Sequence, residues 1–204
     1  MSEKMPFLCN SKFTYYEVIE SIVTALDAKD TYTADHSRRV GEMADLLCNY
    51  LGENDEVREK VHIASNIHDI GKIGIPDQIL NKPGKLTEDE WECMKRHTSI
   101  GAHILKKSEP FKSLSDIVLF HHERWDGRGY YGLKEKDIPL EARIIAVCDS
   151  IDAMTSDRAY RKPLSLEICK NEIQINIGKM YDPRIGSVAV QYFDEILSLK
   201  TNCL

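Results

Sequence analysis

Two pairs of neighbouring residues and three single residues could do chemistry in this chain. His68-Asp69 and His121-His122 are adjacent potential metal ligands, and His36, His97 and Asp149 add one each. Imidazole and carboxylate groups both bind first-row transition ions. Five histidines and two carboxylates would suit a pair of such ions sharing a bridging aspartate and a water. A set this rich in nitrogen favours iron, manganese or zinc over magnesium, which prefers oxygen ligands. Asp149 stands out because it is flanked by Ile145, Ala146, Val147, Cys148 and Ile151. A bare carboxylate on so apolar a face is costly to bury unless it is paired or coordinated. Either a metal or an arginine such as Arg143 or Arg158 would meet that need.

Adjacent ligands constrain the elements that carry them. Neighbouring residues in a helix point about 100° apart, so His68 and Asp69 can face one site only where a helix ends and opens. Gly71 is read as that end, since glycine tolerates the left-handed turn that stops helices. An ordinary helix C-terminus, with His68 and Lys72 set favourably against the dipole, accounts for the same pentad.

The surrounding patterns are helical throughout. Thr14-Tyr15-Tyr16-Glu17 reads as a capping box opening a helix over 14–28, and Thr87-Glu88-Asp89-Glu90 as another. A second helix is expected from Thr33 to Tyr50, with Val40, Met43, Ala44 and Leu47 inward and Gly52 as its stop. A third covers Asp55 to Ile67 and delivers His68 at the end of the stripe Val57, Val61, Ala64. Residues 73–86 read as loop, and 99–107, 114–122, 165–177 and 184–199 as further helices. Leu140 to Met154 is a strongly apolar helix, and Asp126-Gly127-Arg128-Gly129 breaks the pattern before it. No stretch alternates as a strand would, so the expected fold is all-α, a single helical bundle of about nine helices. Residues 1–13 form a short extension and 14–204 one domain.

Not every histidine belongs to the constellation. His62 lies about 240° round its helix from His68, and His103 has no carboxylate beside it.

Composition narrows the function classes. The net charge of -6 over 204 residues excludes bulk binding to a nucleic-acid backbone, which needs a basic face. A small anionic substrate stays possible, because metal ions supply positive charge locally. No apolar run has the length of a membrane span, and the N-terminus lacks a signal-peptide pattern. Six cysteines without a Cys-x-x-Cys pair suit a reducing cytoplasm.

Five stretches carry a resemblance: HDIGKIGIP at 68–76, KPGKL at 82–86, HHERWDGRGYYG at 121–132, IPLEARIIAVCD at 138–149 and DAMTSDRAYR at 152–161. In order and spacing they resemble the HD-GYP family, a branch of the HD superfamily of metal-dependent phosphohydrolases. The resemblance spans Thr14 to Leu197. It implies an all-α bundle that hydrolyses cyclic di-GMP, or a related cyclic dinucleotide, to pGpG or GMP at a centre of two or three metals. Position by position, the implied ligands are His36, His68, Asp69, His97, His121, His122 and Asp149, with Asp69 bridging. Lys72 and Arg158 match residues that hold the scissile phosphate, and Tyr130 borders the substrate.

This chain departs from the family at several positions. The name motif reads Gly129-Tyr130-Tyr131, without its proline, and the segment after it looks one residue shorter. Loss of proline's fixed φ is expected to loosen this loop. Tyr32 stands where a third metal would need a carboxylate, so two ions are expected, iron or manganese first and zinc, nickel or cobalt as alternatives. The lack of a long apolar run leads us to expect no membrane partner. A regulatory or diguanylate cyclase protein is expected to dock on the 126–132 loop, and a homodimer is compatible with the sequence. Family members usually carry a sensory domain ahead of this module, so regulation is expected from elsewhere.

Three readings follow: a two-metal cyclic-dinucleotide phosphodiesterase using a bridging hydroxide, an HD phosphohydrolase on another nucleotide, or a non-catalytic module that binds cyclic dinucleotides or docks partners. The intact ligand set favours the first.

Overall fold

The computed structural model describes residues 11–30, 35–156 and 162–201. Among these residues ten α-helices follow one another, with no strand. They are α1 (Ser11–Lys29), α2 (His36–Leu51), α3 (Asp55–Ile67), α4 (Asp77–Leu80), α5 (Glu88–Lys106), α6 (Ser115–Phe120), α7 (Leu140–Thr155), α8 (Leu166–Ile175), α9 (Pro183–Gln191) and α10 (Phe193–Thr201). Short 3-10 turns occupy Ile70–Gly74, Glu109–Leu114 and Glu135–Asp137. No described helix is long and apolar enough to cross a membrane.

The centre of the bundle is α2, α3 and α7 packed together. Val40, Met43, Ala44 and Leu47 of α2 are fully buried, as the helical spacing of these apolar residues requires. They meet Val61 and Ala64 of α3 and Ile144, Val147, Cys148 and Ile151 of α7. Burying each of the larger side chains contributes about 1.5–3 kcal/mol, so this seam holds the three helices in fixed register. Gly52 ends α2 at φ 71°, and Asn54 caps α3 by accepting the Val57 N–H. At the other end, α9 begins on Asp182, which accepts the N–H groups of Arg184 and Ile185 and pairs with Arg143 of α7.

Several boundaries differ from expectation. α1 starts at Ser11, so Thr14 lies inside it and does not cap it. Residues 88–106 form one helix rather than two. Thr98 and Ser99 do not break it, because their hydroxyls donate back to the carbonyls of Lys95 and Arg96. The expected closing helix over 184–199 is two helices that part at Tyr192, whose ring stacks on Tyr50 at 3.8 Å. The segment 73–86 is not all loop, since it contains α4 and the end of a 3-10 turn. The expected start of α2 at Thr33 falls outside the described residues, as does Tyr32.

Candidate metal centre

The two candidate ligand pairs are placed by the same local device. α3 ends at Ile67, His68 closes it, and Asp69 turns to φ -94° and ψ 6° before the 3-10 turn. That change of direction lets both side chains face inward. α6 likewise ends at Phe120, with His121 closing it and His122 just beyond. Gly71 is not the left-handed stop that its position implied: its φ is not positive, and it sits inside the 3-10 turn. Its role is clearance. A Cβ at Gly71 would lie 1.8 Å from the His97 carbonyl oxygen and 2.5 Å from the Gly101 nitrogen. Only a bare glycine lets the turn bearing Asp69 lie against α5 beside His97.

Four histidines converge with their Nδ1 atoms already engaged. Nδ1 of His68, His97 and His121 each lies on the carbonyl three residues earlier: Ser65 at 2.6 Å, Met94 at 2.8 Å and Val118 at 2.7 Å. Nδ1 of His36 lies 2.7 Å from Asp152 Oδ2. With Nδ1 donating, a neutral ring presents Nε2 as a lone-pair donor. The Nε2 atoms face the carboxylates: His36 is 3.3 Å from Asp149, His68 is 3.4 Å from Asp69, and His97 is 3.4 Å from Asp69. Nε2 of His97 and His121 are 3.5 Å apart.

His97, His121 and His122 are held in the charge state this role needs, and His36 is not. Burial pushes His97, His121 and His122 down, His122 to about 4, so these rings are neutral at pH 7. Burial also opposes the charged forms of Asp69, Asp149 and His36, but their partners outweigh it. Lys72 and His68 hold Asp69 well below the usual carboxylate range, and His36 does so for Asp149. His36 rises to about 9 through its hydrogen bonds to Asp149 and Asp152, so at pH 7 it carries a proton that a metal would displace. Lys72 Nζ sits between Asp69 at 2.8 Å and Asp30 at 2.9 Å, and both carboxylates push its pKa up against burial.

The residues fit a metal. Two groups, His36 with His68 and Asp69, and His97 with His121 and His122, each bring ligand atoms within 4.8 Å of one another. Nε2 of His68 is buried without a hydrogen-bond partner, a state that coordination would relieve. Asp149 pairs with His36, whereas Arg143, one of its expected alternatives, pairs with Asp182. The other alternative, Arg158, which is also the expected phosphate ligand, lies outside the described residues. His62 rests beside Tyr16 and His103 is exposed, so neither joins the centre.

Three residues around the centre escaped sequence reasoning. Asp152 is 1% exposed and takes His36, Arg39 Nε at 2.7 Å and Ser156 Oγ at 3.1 Å. Its signal was present, because it lies one turn beyond Asp149 on the same apolar helix. Asp30 reaches the centre through Lys72 and Arg39 through Asp152, and neither carries a motif.

The centre floors a cavity of about 500 Å³. Its lining combines polar side chains, Asp30, His36, Asp69, Lys72, Lys82, Lys85, His97, His122 and Asp149, with the apolar or aromatic Ile79, Leu80, Leu86, Trp91, Met94 and Tyr130. Tyr130 packs on His122 at 4.8 Å between ring centres and meets Trp91 edge-to-face at 6.2 Å. The loop that delivers Tyr130 is held by hydrogen bonds where the proline's fixed φ is missing. Its backbone is tied to Met180 and Lys179 through Trp125 and Asp126, and Asp126 accepts from Arg124 and the Arg128 N–H. Tyr131 itself donates its N–H to Glu123 Oε1 at 2.6 Å. A proline has no such hydrogen to give.

Comparison with known proteins gives this arrangement a context. A family model for the HD domain matches residues 20–185. A cyclic di-GMP phosphodiesterase of Thermotoga maritima is 44% identical over 184 residues, covering 89% of this chain and 50% of the relative. A 3'3'-cGAMP-specific phosphodiesterase 2 of Vibrio cholerae is 31% identical, covering 98% of this chain and 39% of the relative. The chain therefore spans about half or less of the length of these curated relatives. Among solved structures, the HDG"Y"P protein Bd1817 of Bdellovibrio bacteriovorus superposes with a TM-score of 0.66 at 18% identity, over 87% of this chain and 60% of that one. At that identity the likeness shows the fold.

Proposed function

The chain belongs to the HD domain family, and from that premise we propose that it is a metal-dependent phosphodiesterase that opens a cyclic dinucleotide, cyclic di-GMP or a close relative. The observation that carries the proposal is the gathering of four Nδ1-anchored histidines, three of them with Nε2 within 3.4 Å of Asp69 or Asp149, beside a cavity that apolar and aromatic side chains also line. The names of the similar phosphodiesterases agree with it.

His36, His68, Asp69, His97, His121, His122 and Asp149 would hold two divalent ions, iron or manganese, with Asp69 shared between them. When bound, the ions supply Lewis acidity and lower the pKa of water to a useful range at neutral pH. The protein's own part is positioning. Asp152 fixes the ring of His36, and the carbonyls of Ser65, Met94 and Val118 fix three others. The Lys72 ammonium carries three donors, and Asp69 and Asp30 engage two of them, which leaves one for a phosphate oxygen. Arg158 is the second proposed phosphate ligand. The apolar and aromatic lining of Leu80, Leu86, Trp91 and Tyr130 suits a purine ring. The proposed products are pGpG and, after a second cut, GMP, formed in the cytoplasm. The exposed side of the 126–132 loop is the proposed docking face for a regulatory partner.

The test is turnover of cyclic di-GMP, 3'3'-cGAMP and a linear nucleotide by metal-loaded protein, with products separated by chromatography. Cyclic substrates should be consumed to linear dinucleotide or mononucleotide. Hydrolysis of the linear nucleotide alone would move the assignment to a general HD phosphohydrolase, and binding without turnover would make the chain a binding module.

A further inference from the structure

We infer that Tyr131, where the HD-GYP motif has proline, is a positioning residue that latches the substrate-facing Tyr130 to the two segments that carry the His97, His121 and His122 half of the metal centre. The inference rests on the phosphodiesterase reading above for its substrate, but its geometry is independent of that reading.

Tyr131 makes two contacts of different kinds. Its backbone N–H donates to Oε1 of Glu123 at 2.6 Å, and its hydroxyl lies 2.8 Å from Thr98 Oγ1. Both partners are buried, Glu123 at 4% exposure and Thr98 at 0%. Both also adjoin expected ligands in sequence: Glu123 follows His122, and Thr98 follows His97. The Thr98 hydroxyl already donates its one hydrogen to the Lys95 carbonyl at 3.0 Å, so the Tyr131 hydroxyl is the donor between them. One residue thus ties the loop to α5 beside His97 and to the segment after α6 beside His122.

The surroundings fit a latch. The Tyr131 ring, although 46% exposed, packs edge-to-face on Phe120 at 5.7 Å. A Cβ on Gly129 would lie 2.5 Å from the Glu123 Cα, so the loop is laid directly on Glu123 and needs glycine there. Oε2 of Glu123 is buried with no hydrogen-bond partner, which makes the N–H of Tyr131 the more important to this carboxylate. A proline would fix φ at this position but remove that donor. Tyrosine here replaces the rigidity of a ring with two hydrogen bonds, and the residue it holds in place is Tyr130, against His122 and Trp91.

The experiment compares Tyr131→Phe, which loses the hydroxyl, with Tyr131→Pro, which loses the hydroxyl and the N–H. Metal content, kcat and KM for cyclic di-GMP are measured on metal-loaded protein. Metal content should match the parent in Tyr131→Phe, kcat should change less than KM, and KM should rise about three- to ten-fold, the scale of one hydrogen bond. Tyr131→Pro should be worse than Tyr131→Phe. A KM unchanged in both variants overturns the inference, as does a proline variant better than the phenylalanine one. Amide hydrogen exchange over 129–131 needs no substrate and so separates failure of the latch from failure of the phosphodiesterase reading. Faster exchange there in Tyr131→Phe than in the parent supports the latch, and equal protection overturns it.

Discussion

The Lys72 ammonium sits between two buried carboxylates, Asp69 and Asp30, and has to satisfy both before it can serve a substrate. Lys72→Ala leaves those carboxylates facing each other without their cation. Removing one member of a buried ion pair costs about 3–5 kcal/mol. The metal-free variant should therefore melt well below the parent in a thermal shift assay. If Lys72 also holds the phosphate, turnover of the metal-loaded variant should fall about 10²–10³-fold, the scale of one preorganised electrostatic contact. A lowered melting temperature with normal turnover would confine Lys72 to neutralising Asp69. Trp91 offers a second test at this scale. It is 46% exposed at the cavity wall, perpendicular to Tyr130. Stacking on a base is worth about 1–3 kcal/mol, so Trp91→Ala should raise KM about ten-fold or more and leave metal content alone. An unchanged KM would remove the base-stacking role.

At the scale of elements, the site depends on how closely the 3-10 turn Ile70–Gly74 approaches α5. Gly71→Ala places a Cβ 1.8 Å from a backbone oxygen, and backbone cannot swing aside as a side chain can. Overpacking of this kind costs about 1–3 kcal/mol or more. Since the turn carries Asp69, bound metal should fall together with stability. Gly178→Ala is the control. It strains a left-handed position at φ 76°, for about 1–2 kcal/mol, but has open space around it and should keep its metal. Calorimetry with elemental analysis on both variants separates the two effects. Much of this scale was legible in the sequence. The Thr87 capping box, the Gly52 stop and the bounds of α3 rest on local rules, and local rules held there. They failed where the reason was tertiary. Nothing near Gly71 in sequence reveals that His97 will press against it, and the Tyr131 N–H has a partner eight residues away that no turn rule supplies. That the residues expected as ligands gather in one place was legible because burying a polar group is expensive, and their types and spacing announced that cost. Asp152 obeyed the same logic and could have been found by it. Asp30, Arg39, Thr98 and Glu123 could not, since each acts through a neighbour that only the fold supplies.

At the scale of the molecule, the metal is expected to be a structural tie as well as a reagent. The candidate ligands come from α2, α5 and α7, from the junction after α3 and from the segment after α6. An ion bound to them links elements far apart in the chain and stabilises only the folded state. At a free metal concentration of about 100 times Kd the gain is about 2.7 kcal/mol, or roughly 5–10 °C in melting temperature for a chain of this size. Dialysis against chelator should lower the melting temperature by that order, and added manganese should restore it. A melting temperature indifferent to chelator would mean that the convergent histidines hold no ion.

The central claim is tested most directly by loading the protein anaerobically with iron or with manganese, counting the metal by elemental analysis, and following cyclic di-GMP by chromatography. The account predicts close to two equivalents of metal, conversion to pGpG or GMP, and loss of both the second equivalent and the activity in Asp69→Ala. Protein that carries two equivalents and leaves cyclic di-GMP and 3'3'-cGAMP intact would contradict it.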